Sequence, residues 1–560
     1  MCGFIFRKDD NFLGPQSLLN HRGPDEQSYF TGHGYEMEFS RLRVTGTGDG
    51  QVPVISSSKR WHVAFNGEIY NFQALISKFH LLQTDSDTKV IAEGLDKRGI
   101  EFLRNLRGMF AGVVIDTHED RVFVFRDPLG EKPLFYSRSN TGLSISSEFT
   151  ALLKMLQRPI QLDFFALSDF FRFGYAEEPS TFDTEIKAFK RGVVCEIDEN
   201  SEFQEILVLP GYDLEETELS LPELLTLLSD EDTFTTVPTG LALSAGIDST
   251  SLFYSMSRIQ NRQFVPLIVN VSVSGLGTEA LEAVAACKKL GVNPEIINYS
   301  MYSNLAEDLM RLSVLNDQPH ADPSGLSYLR IFEAAKDIGL KVVMLGHGPD
   351  EIFWGYPWFN QELFESISSN IHINKDSRVF WNNPSSSARF NWYLKSIRSK
   401  ERNLDASNFS SDTFLTSANP WQRYRAEIVH SYLSCNGLRQ SDRLAMASSI
   451  EPRTPYADSR LYGWAQLNSV KNPTTFDKNE FRLAVDLGPL EQTRFRKKEG
   501  FLSSMGEWFR DSATNDLAGD CLNYLSKKDL DWRMKPRLKF LSPSEKYKII
   551  MLGHWLSQFD

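Results

Sequence analysis

A chain of 560 residues exceeds what one hydrophobic core serves, so two or more domains are expected. Its 41% apolar and 24% charged residues are ordinary for a soluble globular protein, and 60 basic against 73 acidic side chains leave a formal charge of −13, which disfavours nucleic acid as a bulk partner while still allowing a local basic site for a nucleotide. The five cysteines (Cys2, Cys195, Cys287, Cys435, Cys521) are odd in number and form no CxxC pair, which argues against a disulfide framework or structural zinc and fits a reducing cytosol. Met1 to Arg7 does not read as a signal peptide, and no run of about 18 apolar residues suggests a membrane span, so a cytoplasmic protein is expected.

From residue 1 to about 210, short apolar runs alternate with Gly and Asn turns. Trp61–Phe65, Met109–Ile115, Arg121–Phe125 and Gly192–Ile197 read as strands, and Phe72–Phe79 and Thr88–Lys97 as helices, giving a strand-rich α/β domain. An acidic stretch with Pro210 and Pro222 places a boundary near residue 215, with a helix at Leu221–Leu228 opening a second domain over 215–560. There, strands at Gly240–Leu243, Val265–Val273 and Lys341–Leu345 alternate with helices at Ser249–Arg258, Glu279–Leu290 and Leu326–Asp337, the pattern of a parallel sheet with crossover helices. Beyond about 420 the chain reads as mainly helical. The Ser-, Asn- and aromatic-rich segment 359–410 supports no assignment.

Loss of Met1 would leave Cys2 with a thiol and a free α-amine on one residue. The amine, of pKa about 8, can accept the thiol proton, and the thiolate is then the nucleophile. Behind Cys2 come His21-Arg22-Gly23-Pro24-Asp25, Arg41-Leu42, Asn66-Gly67-Glu68-Ile69-Tyr70-Asn71, Asp85-Ser86-Asp87 and Arg126-Asp127-Pro128-Leu129-Gly130, all read as polar sites on turns. In this order they resemble the class II glutamine amidotransferase domain, over about residues 1–200. The resemblance implies an Ntn-type αββα sandwich and glutamine cleavage through a thioester on Cys2. It further implies an oxyanion hole from the Asn66 side chain and Gly67 N–H, Arg41 on the glutamine α-carboxylate, and Glu68 and Asp87 on its α-ammonium. Arg22, Asp25 and Arg126 read as structural.

In the second domain, strand Gly240–Leu243 runs into Ser244-Ala245-Gly246-Ile247-Asp248-Ser249-Thr250 and a helix. Backbone N–H groups at such a junction bind anions, and Asp248 would repel a phosphate unless it holds Mg²⁺. With no GK[ST] following, this is not a Walker loop. It resembles the pyrophosphate loop of ATP pyrophosphatases, with Ala245 where Gly is commoner, a change that requires no positive φ at that position. Leu345-Gly346-His347-Gly348-Pro349-Asp350-Glu351, with Phe353-Trp354-Gly355-Tyr356 after it, resembles a segment of the asparagine synthetase family, as do Asp442-Arg443 to Met446, Ile450 to Asp458 and Arg494 to Phe501. The resemblance implies ATP contacts at Leu243, Ser244, Gly246, Asp248, Ser249, Gly346 and Lys498, with Mg²⁺ on Asp248 and Asp350. It reads 442–446 and 450–458 as mostly architectural.

Together the two halves imply glutamine hydrolysis, adenylation of an acceptor carboxylate with release of pyrophosphate, and amidation by ammonia carried through a passage between the domains; the resemblance allows a homodimer. Aspartate is the acceptor that the family implies. His347 stands where family members usually carry Glu or Asp and is read as a catalytic or tuning group of the acceptor site, so a sugar acid or natural-product acid is the alternative substrate. A non-catalytic family member is the reading of a different class, opposed by intact Cys2, Asp248 and Asp350.

Overall fold

The computed structural model describes all residues except 1, 10–12, 46–52, 140–141, 210–217, 260–262, 271–275, 300–303, 357–419, 470–476, 497–504 and 529–537. Lys498, the boundary near residue 215 and the unassigned segment 359–410 lie outside the described residues.

Twelve strands form the first part: β1 (Cys2–Asp9), β2 (Glu26–Gly32), β3 (Tyr35–Arg41), β4 (Val54–Ile55), β5 (Trp61–Ile69), β6 (Gly108–Asp116), β7 (Arg121–Arg126), β8 (Phe135–Ser139), β9 (Gly142–Ser146), β10 (Ile186–Ala188), β11 (Val193–Ile197) and β12 (Phe203–Val208). They make two six-stranded sheets, β10-β8-β9-β1-β3-β2 and β12-β11-β7-β6-β5-β4, antiparallel throughout. The two-residue period of a strand decides what faces what. On β1, Cys2, Phe4 and Phe6 point between the sheets onto Ala64, Ala111 and Val113, while Ile5 points outward onto Leu19 and Ala151. Helices α1 (Phe72–Phe79) and α2 (Asp87–Arg98) bury Phe72, Leu75, Val90 and Ile91 against Phe65 and Phe110 on the outer side of the second sheet. Helix α3 (Phe149–Met155) covers the outer side of the first, and α4 (Phe164–Phe173) follows it in the chain. The layers are therefore αββα, as expected.

Asn66 to Ile69 lie within β5, not on a turn. Asn66 pairs with Ala111 and Gly67 with Phe110, so ladder formation overrides the turn tendency of Asn-Gly. Gly67 has φ +151°, and a Cβ there would stand 2.0 Å from the Met109 carbonyl oxygen; only glycine lets β5 approach β6 so closely.

After β12 the described chain resumes and enters α5 (Leu221–Asp232), whose Ser220 and Glu223 form a capping box. A five-stranded parallel sheet follows, built from β13 (Thr239–Ala242), β14 (Val265–Asn270), β15 (Glu295–Asn298), β16 (Val342–Met344) and β17 (Glu451–Arg453) in the order β15-β14-β13-β16-β17. Its crossovers include α6 (Ile247–Arg258), α7 (Thr278–Leu290), α8 (Leu305–Leu315) and α9 (Gly325–Asp337). Both faces are buried: Val342 and Met344 pack with Leu252 and Phe253, and Val343 with Ile331 and Phe332 on the other side. Beyond residue 420 the described chain is mostly helical, including an 11-residue π-helical stretch at Ile428–Leu438.

Ion pairs tie the two halves together. Arg22, fully buried, bridges Glu148 and Asp442 at 3.0 Å each, and Lys132 reaches Asp442 at 3.3 Å. Asp25 pairs with Lys341 at 2.9 Å, and Glu178 accepts from both Arg126 and Arg439.

Candidate active sites

The first candidate site forms at the start of β1. Cys2 lies opposite Arg41 on β3, and its backbone nitrogen donates to Asn66 Oδ1 on β5 at 3.3 Å. Arg22 Nε donates to the Cys2 carbonyl at 3.2 Å. Of the five cysteines, only Cys2 is not buried as a residue. Burial of the sulfur pushes the thiol pKa up; the nearby positive chain start, the Leu42 backbone N–H and Arg41 pull it down. Asn66 is fully buried, and its Nδ2 has no hydrogen-bond partner among the described residues, so this donor can serve a group brought to Cys2. Arg41 makes a loose ion pair with Glu26 at 3.6 Å. Asp87 opens α2, and its carboxylate accepts from Ile69 N at 3.1 Å and Thr88 N at 2.6 Å; burial raises its pKa. Glu68 is buried nearby, and its carboxyl is raised well above the ordinary range by burial, with Arg453 pulling the other way. Five of the residues expected around glutamine, Cys2, Arg41, Asn66, Glu68 and Asp87, are thus brought onto neighbouring strands and one helix end, and Gly67 sits between two of them.

The second candidate site lies where the parallel sheet reverses its strand order. Chain order runs outward from β13 through β14 to β15, then returns to β16 on the other side, which opens a crevice beyond the C-terminal ends of β13 and β16. Both expected loops stand there. The loop after β13 braces itself: Ser244 N donates to Ser249 Oγ at 3.1 Å and Gly246 N to Ser244 Oγ at 3.1 Å. Ala245 is buried and is not among the residues of positive φ, so a side chain is tolerated. Leu243, buried below the loop, donates its N–H to the Leu267 carbonyl. The loop after β16 packs against it: a Cβ on Gly346 would lie 3.0 Å from Ser249 N. Gly348 has φ +112° and is pressed against the Tyr456 carbonyl. His347 packs 5.5 Å from the Tyr328 ring, beside Gly437.

Asp248 and Asp350, one from each loop, converge on a single cation. Lys478 Nζ is 2.7 Å from both carboxylates and the residue is 4% exposed. Sequence reasoning missed this lysine. It caps the short helix Asn479–Ala484, far along the chain from both loops, and nothing in its local sequence marks it. Among the described residues no three or more His, Cys, Asp or Glu gather as a metal site. Two hard carboxylates at an anion-binding loop are what a magnesium ion uses when water and phosphate oxygens complete its shell, so the donor set fits Mg²⁺.

A glutamine amidotransferase domain model matches residues 1–206 and an asparagine synthase model residues 222–547. A glutamine-hydrolysing asparagine synthetase of Bacillus subtilis is 27% identical, the match covering 91% of this chain and 88% of that one. A second such synthetase from that organism is 28% identical over 80% of this chain and 63% of the relative. Asparagine synthetase B of Escherichia coli is 27% identical over 61% of each chain. The chain belongs to the asparagine synthase family.

Proposed function

We propose that the protein is a carbon–nitrogen ligase that hydrolyses glutamine at Cys2, activates an acceptor carboxylate with ATP at the second site, and joins the released ammonia to it. The observation that carries the reading is the convergence of Asp248 and Asp350 on one cation at the sheet's switch point, in a chain whose other half aims a buried amide at Cys2.

With Met1 removed, the Cys2 nitrogen becomes an amine. Asn66 Oδ1 already fixes that nitrogen, so its lone pair stays beside the thiol whose proton it takes. Asn66 Nδ2 and Gly67 N–H then face the oxygen that becomes negative as the thiolate attacks the glutamine carboxamide. Arg41 exchanges Glu26 for the glutamine α-carboxylate, and Glu68 and Asp87 receive the α-ammonium. At the second site, the loop Ser244–Ser249 and Gly346 would cradle the leaving pyrophosphate. Asp248 and Asp350 would hold Mg²⁺, whose charge stabilises the departing phosphates. Lys478 keeps the two carboxylates together until then. Ammonia must arrive unprotonated, which calls for a closed passage between the domains.

Aspartate is the acceptor the family suggests. His347, an imidazole where the family resemblance implies an acid, supports a different carboxylic acid, because a base or cation beside the acceptor would select a different partner. The test measures glutamine hydrolysis with and without ATP, then ATP–pyrophosphate exchange across a panel of carboxylic acids. The proposal expects exchange with one acid and amide formation from glutamine, lost from glutamine but kept from ammonium salts in Cys2→Ala. Glutaminase activity persisting in Cys2→Ala, or no ATP cleavage with any acid, overturns it. Strong turnover of aspartate unchanged in His347→Glu removes the second acceptor reading.

A further inference from the structure

Glu68 belongs to the glutamine site, yet its cation comes from the other half of the chain. Arg453 on β17 places Nη2 3.4 Å from Glu68 Oε1, an ion pair rather than an aligned hydrogen bond. The rest of the guanidinium is fixed: Nε donates to Glu451 at 2.6 Å, Nη1 to the Phe234 carbonyl at 2.5 Å, and the group stacks 5.5 Å from the Tyr70 ring centre. Arg453 is 1% exposed. Glu68 also accepts from Thr45 Oγ1 at 3.3 Å, and it faces the like charges of Asp87 and, from β17, Glu451. A buried carboxylate beside another would take up a proton, and a neutral carboxyl is a poor partner for an α-ammonium.

The backbone of the same residue belongs to the second site. Arg453 is in register with Met344 of β16, and its carbonyl accepts the Leu345 N–H at 2.8 Å, two residues before His347. We infer that Arg453 is a positioning residue for glutamine: its guanidinium fixes Glu68 and favours the carboxylate over the carboxyl against the effect of burial, so that the group receiving the α-ammonium is completed from the synthetase sheet. The inference rests on the glutamine site proposed above.

Two features separate this role from bracing alone. Without the guanidinium, Glu68 keeps its proton to still higher pH, and glutamine affinity recovers only as rising pH strips it. Arg453→Met therefore raises the KM for glutamine at least about 30-fold near neutral pH, and that KM falls with increasing pH more steeply than the wild type's. The ratio of glutamine-driven to ammonia-driven turnover at low glutamine drops accordingly. Arg453→Lys, which keeps the charge, restores a pH profile parallel to the wild type's. Where Arg453→Met yields no folded protein, Arg453→Lys with and without Glu68→Gln carries the test: Arg453→Lys raises the KM while Glu68 is intact and adds nothing once Glu68→Gln has removed the charge it serves. An unchanged KM, a rise independent of pH, or additive effects of the two substitutions overturn the inference. Absence of any glutamine hydrolysis in the wild type would instead overturn the glutamine reading itself.

Discussion

Lys478 is the residue on which the second site's electrostatics turn. Its ammonium touches two buried carboxylates at 2.7 Å. With an effective dielectric of ~20, each contact is worth about 6 kcal/mol before desolvation. Desolvation of three charges cancels most of that, but removing only the cation leaves Asp248 and Asp350 without the ammonium that joins them, which costs about 3–5 kcal/mol. Lys478→Met should therefore lose about that much stability in a chelator, read by urea unfolding. Magnesium should restore more stability to the variant than to the wild type, because the ion takes the place of the ammonium between the same oxygens. ATP–pyrophosphate exchange should fall in parallel. A variant as stable as the wild type in chelator, or one that magnesium stabilises no more than the wild type, would refute the reasoning that the two acids form one cation site.

Asn66→Ala removes the unpartnered amide donor beside Cys2 and should lower kcat for glutamine hydrolysis by about 10²–10³, measured against ammonia-driven synthesis in the same sample. Gly355→Ala would put a Cβ 1.9 Å from Asp350 Oδ1, so exchange activity should be lost with little change at the glutamine site. Glu178, held by Arg126 and Arg439, has its carboxyl lowered from 4.5 to about 2. Because the folded-state value is the lower one, this stabilisation is full above about pH 4.5 and is lost as pH falls toward about 2. Glu178→Gln should lose about 3 kcal/mol at neutral pH and show a flatter stability profile through that acid window.

Much of this was legible because strands and phosphate loops are local. The apolar runs at 109–115 and 121–125 became β6 and β7, the helix at 72–79 formed with those bounds, and the loops at 244–249 and 346–350 meet at the switch point. Asn66-Gly67 misled as a turn because its conformation is set by β6, a partner some 40 residues away in sequence. Lys478 and Arg453 escaped functional notice for a related reason. A buried carboxylate needs a cation somewhere, but nothing in its own sequence neighbourhood says which distant Lys or Arg supplies it.

The segment 451–458 shows what such distant compensation accomplishes. A three-residue strand at the edge of a sheet has little stability of its own. Here four side chains of 453–458 are fixed from different directions: Arg453 by Glu68 and Glu451, Thr454 by Glu131, Tyr456 by Ser251 on α6, and Asp458 by Arg460. Its backbone meanwhile contacts both Leu345 and Gly348, on either side of His347. A residue run that looks architectural by composition therefore touches Glu68 of the first candidate site with one side chain and the loop that carries His347 with its carbonyls. A change in how Glu68 is paired bears directly on Arg453, and Leu345 is bonded to that same residue.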